Sequence, residues 1–443
     1  MNIAYRRLIA FFFILAFIIL APVLLYYTAG YRYDLKKGEV QKTGSLVLSS
    51  IPRNAEILLN DKLQDTKSPS RLNNILPGDY EITLQKEGYH SWNKKLSVKI
   101  SETTFAENVV LFKKSGPEKI LDEKVNMISF SPEGKYALLK VSQFSQDFLY
   151  LLNLSNQKVN LIYNDDTKLD NLQVTWAPDD SKMLLQSDDK LLILTTSWPR
   201  NTLDLLPLIA KNKARAFKFD ADNSNYLFAM TDKEILRLDL ILQKADSYVA
   251  NLPKLTSDFL LSGQDAFFIN KIADKTFLSQ YSLLDKNIIK TLELKNTNYC
   301  IIDIIAGQLV VEESASHDFF LIDQSLDSIQ FSKPGVVYYN FKPSENLLLI
   351  ATAQELSQIN LSDFKEKIIN RVQGGLQKAL WHIDDNYSFS LQAGKINIIE
   401  IDDRNGHFSI ILPFDNISDF QVDPNGEILY FLQNNLLYSL AIQ

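Results

Sequence analysis

The chain has almost none of the residues that build disulfides and compact metal sites. It holds one cysteine, Cys300, and four histidines in 443 residues. A single cysteine cannot form an intramolecular disulfide, and it excludes every zinc site that needs a Cys-x-x-Cys pair. Cys300 lies in the apolar run Tyr-Cys-Ile-Ile. This setting favours a buried strand residue over a catalytic thiol.

Catalytic motifs are also missing. The histidines, none at metal-ligand spacing from another, are His90, His317, His382 and His407. There is no H-E-x-x-H, G-x-S-x-G, Walker A or Rossmann glycine pattern, and only 15 glycines are present. The sequence therefore predicts no catalytic, cofactor-binding or metal-binding residues, no cofactor and no enzyme activity. His90 is predicted to lie on the surface of a turn.

Basic residues are too few for a nucleic-acid-binding protein. The chain carries 46 Lys and Arg against 53 Asp and Glu, for a net charge of −7. A nucleic-acid partner would require a basic stripe, so this class is excluded.

Acidic pairs recur and leave one alternative open. They are Asp165-Asp166, Asp179-Asp180, Asp188-Asp189, Asp384-Asp385 and Asp402-Asp403. Calcium prefers several such oxygens. However, no EF-hand-like loop surrounds the pairs, and each falls where a hairpin turn is due. Solvated turns are therefore the favoured interpretation, with calcium binding as the alternative.

One long apolar run stands out. Residues 8–27 contain no charge and follow Arg6-Arg7 directly. Twenty residues can cross a hydrocarbon core of about 30 Å as a helix. A cleaved signal peptide is the alternative, but the run exceeds the usual apolar segment, and Pro22 follows Ala21 where cleavage would fall. We expect residues 1–7 to be a short cytoplasmic tail, 8–27 a transmembrane helix and 28–43 a juxtamembrane stalk.

Residues 44–113 show strand-like alternation and carry a family resemblance. The segments that carry it are Gly44-Ser-Leu-Val-Leu-Ser-Ser-Ile-Pro52, Pro77-Gly78-Asp-Tyr80 and Lys86-Glu-Gly88-Tyr89-His-Ser-Trp92. They resemble a PEGA domain, which implies a small surface-associated β-sandwich of prokaryotes, often beside a membrane anchor, with no catalytic residues. Gly78 and Gly88 are expected to permit turns. Tyr80, Tyr89 and Trp92 are expected to pack the sandwich rather than bind sugar.

Residues 118–443, after a linker at 114–117, repeat a unit about every 40 residues, which is typical of β-propeller blades. The clearest repeats start at Phe130-Ser-Pro, Trp176-Ala-Pro, Phe219-Asp-Ala, Phe341-Lys-Pro and Val422-Asp-Pro, and weaker ones centre on Leu261, Ile304 and Ile383. The unit resembles the TolB-type and WD-like repeat. The missing Gly-His and Trp-Asp signatures disfavour a eukaryotic-style WD propeller.

The number of blades and their closure can also be predicted. Eight repeats suggest eight blades, with seven as the alternative. The last repeat offers only three strands, and Lys119-Ile-Leu-Asp could supply the fourth. The fold class is therefore mainly β: an N-terminal transmembrane helix, a PEGA-like β-sandwich and a seven- or eight-bladed β-propeller.

The expected function is binding. Propellers present loops around a rigid disc. We expect a single-pass cell-membrane protein, anchored by residues 8–27, that acts as an envelope scaffold for envelope proteins or cell-wall polymer. Lys and Arg counts on the two sides of the helix leave the orientation near even, and the PEGA resemblance favours an extracytoplasmic bulk. The alternatives are an extracytoplasmic hydrolase or carbohydrate-active enzyme that uses the propeller face, and a periplasm-type partner of a transport machine.

Overall fold

The computed structural model describes residues 3–35, 37–166, 168–197, 201–209, 213–253, 255–384 and 386–443. The chain forms two compact units. The first comprises Met1–Ser115, Glu400–Ser409 and Ile442–Gln443, and the second comprises Gly116–Ile399 and Ile410–Ala441. Parts of two predictions, the start of the tail at 1–7 and Lys36 of the stalk, lie outside the described residues.

The first unit begins with helix α1, Ile3–Thr28, which includes Pro22. From Leu8 to Tyr27 its side chains are apolar on every side and, except for the half-buried Ala21, exposed, as expected of a helix that meets lipid rather than a protein core. Within the described part of the chain, Tyr5–Thr28 is the one helix long and apolar enough to cross a membrane. A signal sequence near the N-terminus would have the same properties.

The segment predicted as a stalk is a β-hairpin. Strand β1, Tyr31–Asp34, pairs with β2, Glu39–Lys42, in antiparallel register. Tyr and Val suit strands, and Gly38 adopts the positive φ of 72° that the turn needs. The two strands were not expected from the sequence, because the segment is short and polar, and its role as a juxtamembrane stalk stays a prediction.

Seven further strands complete two facing sheets in the first unit. They are β3 Gly44–Ile51, β4 Glu56–Leu59, β5 Lys62–Lys67, β6 Ser70–Ile75, β7 Gly78–Gln85, β8 Trp92–Val98 and β9 Thr103–Val110. One sheet has the order β6-β3-β9 and the other β5-β4-β7-β8. Among the described strands of these two sheets, β3 and β9 form the one parallel pair. Alternate residues of both sheets, among them Leu46, Ile82 and Trp92, form one buried core.

Tyr80 and Tyr89 pack against this core as predicted, and Gly88 has φ +82° in its turn. Gly44 is required for another reason. A Cβ atom at this position would lie 2.4 Å from the carbonyl oxygen of Lys99, which is backbone and cannot move aside.

The second unit contains, in its described residues, eight four-stranded antiparallel sheets. The first four are built from β11 Met127–Phe130, β12 Tyr136–Gln143, β13 Gln146–Asn153 and β14 Val159–Asp165; β15 Gln173–Trp176, β16 Lys182–Gln186, β17 Leu191–Thr195 and β18 Thr202–Asp204; β19 Ala216–Phe219, β20 Tyr226–Met230, β21 Ile235–Asp239 and β22 Lys244–Val249; and β23 Thr256–Ser262, β24 Asp265–Ile272, β25 Lys275–Ser282 and β26 Asn287–Leu294. A short helix, α2 Leu206–Ile209, lies between β18 and β19.

Three more sheets follow in the same order. They are built from β27 Tyr299–Ile305, β28 Gln308–Glu313, β29 Phe319–Asp323 and β30 Ile329–Lys333; β31 Val336–Lys342, β32 Leu347–Thr352, β33 Glu355–Asn360 and β34 Lys365–Arg371; and β35 Leu376–Trp381, β36 Tyr387–Gln392, β37 Lys395–Glu400 and β38 Ser409–Ile411. The sequence left seven and eight blades open, and the structure has eight.

The eighth sheet closes the ring with both ends of the unit. Its strands are β39 Ile417–Val422, β40 Ile428–Gln433, β41 Leu436–Ala441 and the early strand β10, Glu118–Lys119. Glu118 pairs with Ser439 and Lys119 with Tyr438. The prediction that a segment around Lys119 supplies the missing strand is confirmed.

The aromatic residues of the repeat lie where neighbouring sheets meet. Trp176, at the end of β15, packs against Leu138 of the first sheet and Met183 of the second. Its indole Nε1–H donates to Ser129 Oγ at 3.0 Å. The aromatic residue therefore fills the layer between two neighbouring blades.

Candidate functional site

In the second unit the strand that opens each repeat lies at the end of its sheet nearest the centre of the ring. We call these eight strands the inner strands: β11, β15, β19, β23, β27, β31, β35 and β39. Neighbouring inner strands contact one another, as β23 does β27 and β31 does β35. In five of the inner strands, the register of pairing with the next strand of the same sheet shifts by one residue, which marks a β-bulge. The residues just after the shift are Asp258, Asp303, Tyr338, Lys378 and Asp419. Such β-bulges re-aim a side chain.

Ion pairs between neighbouring inner strands occupy two sectors of the channel. Lys218 Nζ lies 3.2 Å from Asp258, which also accepts from the Ile301 N–H at 2.7 Å. On the other side, Lys378 Nζ lies 2.9 Å from Asp419. Because each lysine is matched by a carboxylate, these two sectors are close to neutral.

Lys378 also contacts three aromatic rings. Its ammonium lies 4.9 Å from the centre of the Phe130 ring and 5.5 Å from those of Tyr338 and Phe420. These rings belong to three different sheets, and cation–π attraction holds the ammonium among them.

A cavity of 740 Å³ opens in the remaining sector, between β27 and β31. Its polar and aromatic lining comprises Asp303, Glu312, His317, Phe319, Tyr338, Tyr339, Asn340 and Phe341, with Pro132 from the first sheet. Pockets that bind small groups typically combine apolar walls with a few convergent polar atoms.

Asp303 is the charged residue without a matching cation. Its side chain is accessible to solvent but enclosed by the channel, and this desolvation raises the pKa of the carboxyl. The Ile304 N–H donates to Oδ1 at 2.7 Å. In the part of the chain that the structure describes, Asp303 forms no ion pair with a lysine or arginine, and the charge of Lys218 acts on it only from a distance, where it offsets part of the rise in pKa. This carboxylate can therefore accept a cation from outside.

The two tyrosines beside Asp303 remain protonated. Burial, with the negative charge of Asp419, raises the pKa of Tyr338 to about 12. Burial, together with the charges of Asp303 and Glu312, raises the pKa of Tyr339 far above its ordinary value. The Tyr339 ring packs on Phe319 at 5.3 Å. The site thus offers aromatic faces and a carboxylate, the groups that bind ammonium and guanidinium.

The structure corrects part of the Cys300 and His90 predictions. Cys300 lies in β27 as expected, but it is half-buried, and its Sγ lies 3.7 Å from the Glu312 carbonyl oxygen. Burial raises the pKa of the thiol, which disfavours the reactive thiolate. His90 is half-buried rather than on the surface, and its backbone N–H donates to the carbonyl of Phe112 at 2.8 Å.

The four histidines do not converge. His317 is exposed in the turn after β28, where its Nδ1 contacts Glu312. His382 is buried, and burial lowers its pKa. Its Nδ1 accepts from the Asp384 N–H, and Nε2 lies 3.2 Å from the Gly426 carbonyl. Throughout the described ranges, no three His, Cys, Asp or Glu side chains are grouped as metal ligands.

Two of the acidic pairs are not solvated turns. Asp180 is buried and joins the first two sheets of the second unit, since it accepts from the N–H of Glu133 at 3.1 Å and of Lys135 at 3.3 Å. Asp402, in the first unit, pairs with Arg404 at 2.7 Å and with Lys94 at 3.3 Å. Asp385 and the side chain of Asp165 lie outside the described residues.

The Lys94 cluster of the first unit comprises Lys94, Trp92, Glu400 and Asp402. Lys94 Nζ lies 2.7 Å from Glu400, and both side chains are almost fully buried. Trp92 Nε1–H donates to the same carboxylate at 3.2 Å. Burial raises the pKa of Glu400 despite this ion pair. Burial also acts to raise the pKa of Asp402, but hydrogen bonds from Arg404 outweigh it and hold the value at about 2.

The sequence predicted neither the residues of the channel nor the Lys94 cluster. The channel residues lie one step beyond a bulge, so simple alternation assigns them to the wrong face of the strand. Lys94 and Glu400 are 306 residues apart. Only the alternation of β8 offered a signal, because it places Lys94 on the same face as Trp92 and Leu96.

Known proteins resemble each of the two units. Residues 43–114 match the PEGA domain model, while no curated protein matches the chain. The C-terminal WD40 domain of Sif2 has a TM-score of 0.50 at 13% identity, over 74% of this chain and 98% of that domain. A structure titled as the eukaryotic initiation factor has 0.49 at 11% identity, over 71% and 82%. Saccharomyces cerevisiae Sqt1 has 0.48 at 8% identity, over 74% and 98%.

At these identities the similarity establishes the fold alone. The chain is similar to WD40 propellers although it has no Gly-His or Trp-Asp signature. Propeller blades can form without these motifs because strand pairing and packing build them. The TolB-type assignment stays a prediction. The chain thus carries an N-terminal apolar helix, a PEGA domain and a WD40-like β-propeller.

Proposed function

We propose that the chain is a single-pass, membrane-anchored scaffold of the cell envelope, with residues 44–113 and 118–443 as its extracytoplasmic domains. Helix α1 supports the anchor by its length and composition. The PEGA match supports the outer location, and the rigid eight-sheet ring supports a binding role, since propellers present loops on a stable frame.

The proposed orientation predicts that protease added to intact cells removes an epitope at the C-terminus. The epitope would be exposed because α1 passes the whole remaining chain across the membrane. Immunoblotting of treated cells measures the loss, with a cytoplasmic marker as control. An epitope that survives in intact cells and is digested after lysis would reverse the orientation.

The cavity between β27 and β31 is the proposed docking point, and its ligand is a cationic group of a protein partner, a lysine or arginine side chain. The observation that carries this proposal is the Asp303 carboxylate, unmatched by a described lysine or arginine and set beside Tyr338 and Tyr339. A guanidinium can pair with the carboxylate while it stacks on an aromatic face.

Substitution of Asp303 by Asn should weaken binding of a tetra-arginine peptide by about tenfold or more, because one charge-assisted contact is lost. Isothermal titration of the detergent-solubilised full chain measures the affinity, and tetra-glutamate is the negative probe. Asp274→Asn is the matched control, since it removes the same charge from an exposed turn between β24 and β25.

Equal affinities of Asp303→Asn and the unsubstituted chain would contradict the cavity as the docking point. Equal losses of affinity in Asp303→Asn and Asp274→Asn would show that the peptide responds to the overall charge of the chain rather than to the cavity.

Hydrolysis is the second candidate function, and one observation favours it. Asp303, whose pKa is raised, shares the cavity with the contacting pair Glu312 and His317. A carboxyl with a raised pKa is suited to general acid catalysis.

We nevertheless expect no turnover in a screen of peptide, ester and glycoside substrates, with and without EDTA, because the cavity presents no activated nucleophile. Turnover that Asp303→Asn abolishes and Asp274→Asn retains would replace the binding proposal with the enzyme.

A further inference from the structure

The hairpin β1–β2 is fixed to the end of α1. Only Ala29 and Gly30 separate them. The Gly30 carbonyl accepts from both the N–H and the hydroxyl of Thr43, at 2.9 and 2.7 Å, so the base of the hairpin is closed beside the helix.

Arg32 secures this junction. Its Nη1 donates to the carbonyls of Tyr27 and Tyr31, each at 2.8 Å. Its guanidinium carbon lies 3.6 Å from the centre of the Tyr27 ring. The Tyr27 carbonyl belongs to the last helical turn, which lacks intrahelical donors, and a cation there is favoured by the helix dipole. The hairpin therefore cannot swing freely from the helix.

The two faces of the hairpin differ. Asp34 is buried in the first unit. Tyr33 and Val40 are cross-strand partners on the opposite face, and their exposed fractions are 58% and 57%. Leu35, next to the turn, is 88% exposed. These three residues form an exposed apolar face, although Tyr33 and Leu35 also line an open cavity with Pro77 and Tyr80 of the first unit.

The position of this face indicates what covers it. At 1.5 Å per residue, residues 8–27 span about 30 Å, which brings Tyr27 to the boundary of the hydrocarbon. The headgroup layer extends about 5–7 Å beyond that boundary. A four-residue strand is about 13 Å long. A hairpin that starts just after Thr28 therefore begins inside the headgroup layer, where aromatic and apolar side chains are favoured. Because a strand of about 13 Å is longer than this layer is deep, its far end stays in the layer only if the hairpin lies along the membrane surface.

We propose that Tyr33, Leu35 and Val40 are embedded in the headgroup layer of the bilayer that α1 crosses, so that the hairpin seats the first unit directly on the membrane surface. The proposal rests on the membrane span of α1 and is independent of the channel ligand. Its occupant is lipid, in continuity with the exposed surface of the helix.

The test uses the single cysteine of the chain. In a Cys300→Ser background, Leu35→Cys is labelled with the environment-sensitive dye NBD and reconstituted in phosphatidylcholine–phosphatidylglycerol vesicles. Emission should shift to the blue, and lipids with a spin label near the headgroup should quench it at least about twofold more than at control sites. The controls are Glu39→Cys, on the opposite face of the hairpin, and Leu63→Cys, an exposed apolar position in β5.

Equal aqueous emission at the three sites would overturn the proposal. Carbonate extraction of the same vesicles separates this failure from a failure of the anchor. If the protein stays in the membrane, the membrane span of α1 is retained and only the hairpin proposal fails. If the protein is released, both the membrane span and the hairpin proposal fail. A blue shift at position 35 that vanishes as lipid is added in excess would assign the face to a second copy of the chain and also overturn the proposal.

Discussion

Substitution of Lys94 by Met is expected to lower the free energy of unfolding of the first unit by about 3–5 kcal/mol. Lys94 is almost fully buried between Glu400 and Asp402, at 2.7 and 3.3 Å. Its removal leaves the buried Glu400 carboxylate with no cation in contact among the described residues, while Asp402 keeps Arg404 at 2.7 Å. Urea denaturation followed by hydrogen exchange of peptides from β7 and β8 measures the loss in this unit.

Lys95→Met is the matched control for this change. Lys95 is the next residue of β8 and pairs with Asp79 at 3.4 Å, but both side chains are more than half exposed. Such surface pairs contribute about 0–1 kcal/mol. The double variant Lys94→Met/Glu400→Gln should recover part of the stability. Equal unfolding of the Lys94 and Lys95 variants would contradict the role assigned to the buried pair.

Deletion of residues 118–121 is expected to destabilise the second unit by about 3 kcal/mol or more. The deletion removes β10 and leaves the outer edge of β41 unpaired. It also removes the Ile120 N–H bond to the Leu437 carbonyl, 2.9 Å long, and the packing of Ile120 and Leu121 against Tyr430 and Leu437. Denaturant unfolding followed by circular dichroism measures the change.

Glu118→Ala and Lys119→Ala serve as controls, because both side chains are exposed and their truncation leaves the backbone pairs with β41 intact. Each should change stability by less than about 0.5 kcal/mol. A deletion variant that unfolds at the same denaturant concentration as these two would show that the ring does not depend on β10.

Closure of the ring could be predicted because it follows from counting strands. The last repeat supplies β39, β40 and β41, and an open edge invites pairing. The segment around Lys119 lies before the first repeat and belongs to no other blade. Counting is robust to errors in strand boundaries, so the missing fourth strand was found without knowledge of any contact.

The channel could not be predicted in the same way. Asp303 and Lys378 face the centre of the ring because a bulge precedes each of them, and a bulge leaves no clear mark in a single sequence. Asp180 illustrates a second limit: its position in a Pro-Asp-Asp turn is typical of a solvated residue, yet backbone N–H groups of the neighbouring sheet enclose it.

Photo-crosslinking of a cationic peptide tests most directly whether the cavity of the second unit docks a cationic group of a partner. A tetra-arginine peptide with a terminal benzophenone is irradiated with the full chain in vesicles, and the adducts are mapped by mass spectrometry. We expect adducts within β27 and β31 that Asp303→Asn abolishes and Asp274→Asn retains. Adducts confined to other strands, or unchanged in Asp303→Asn, would contradict it.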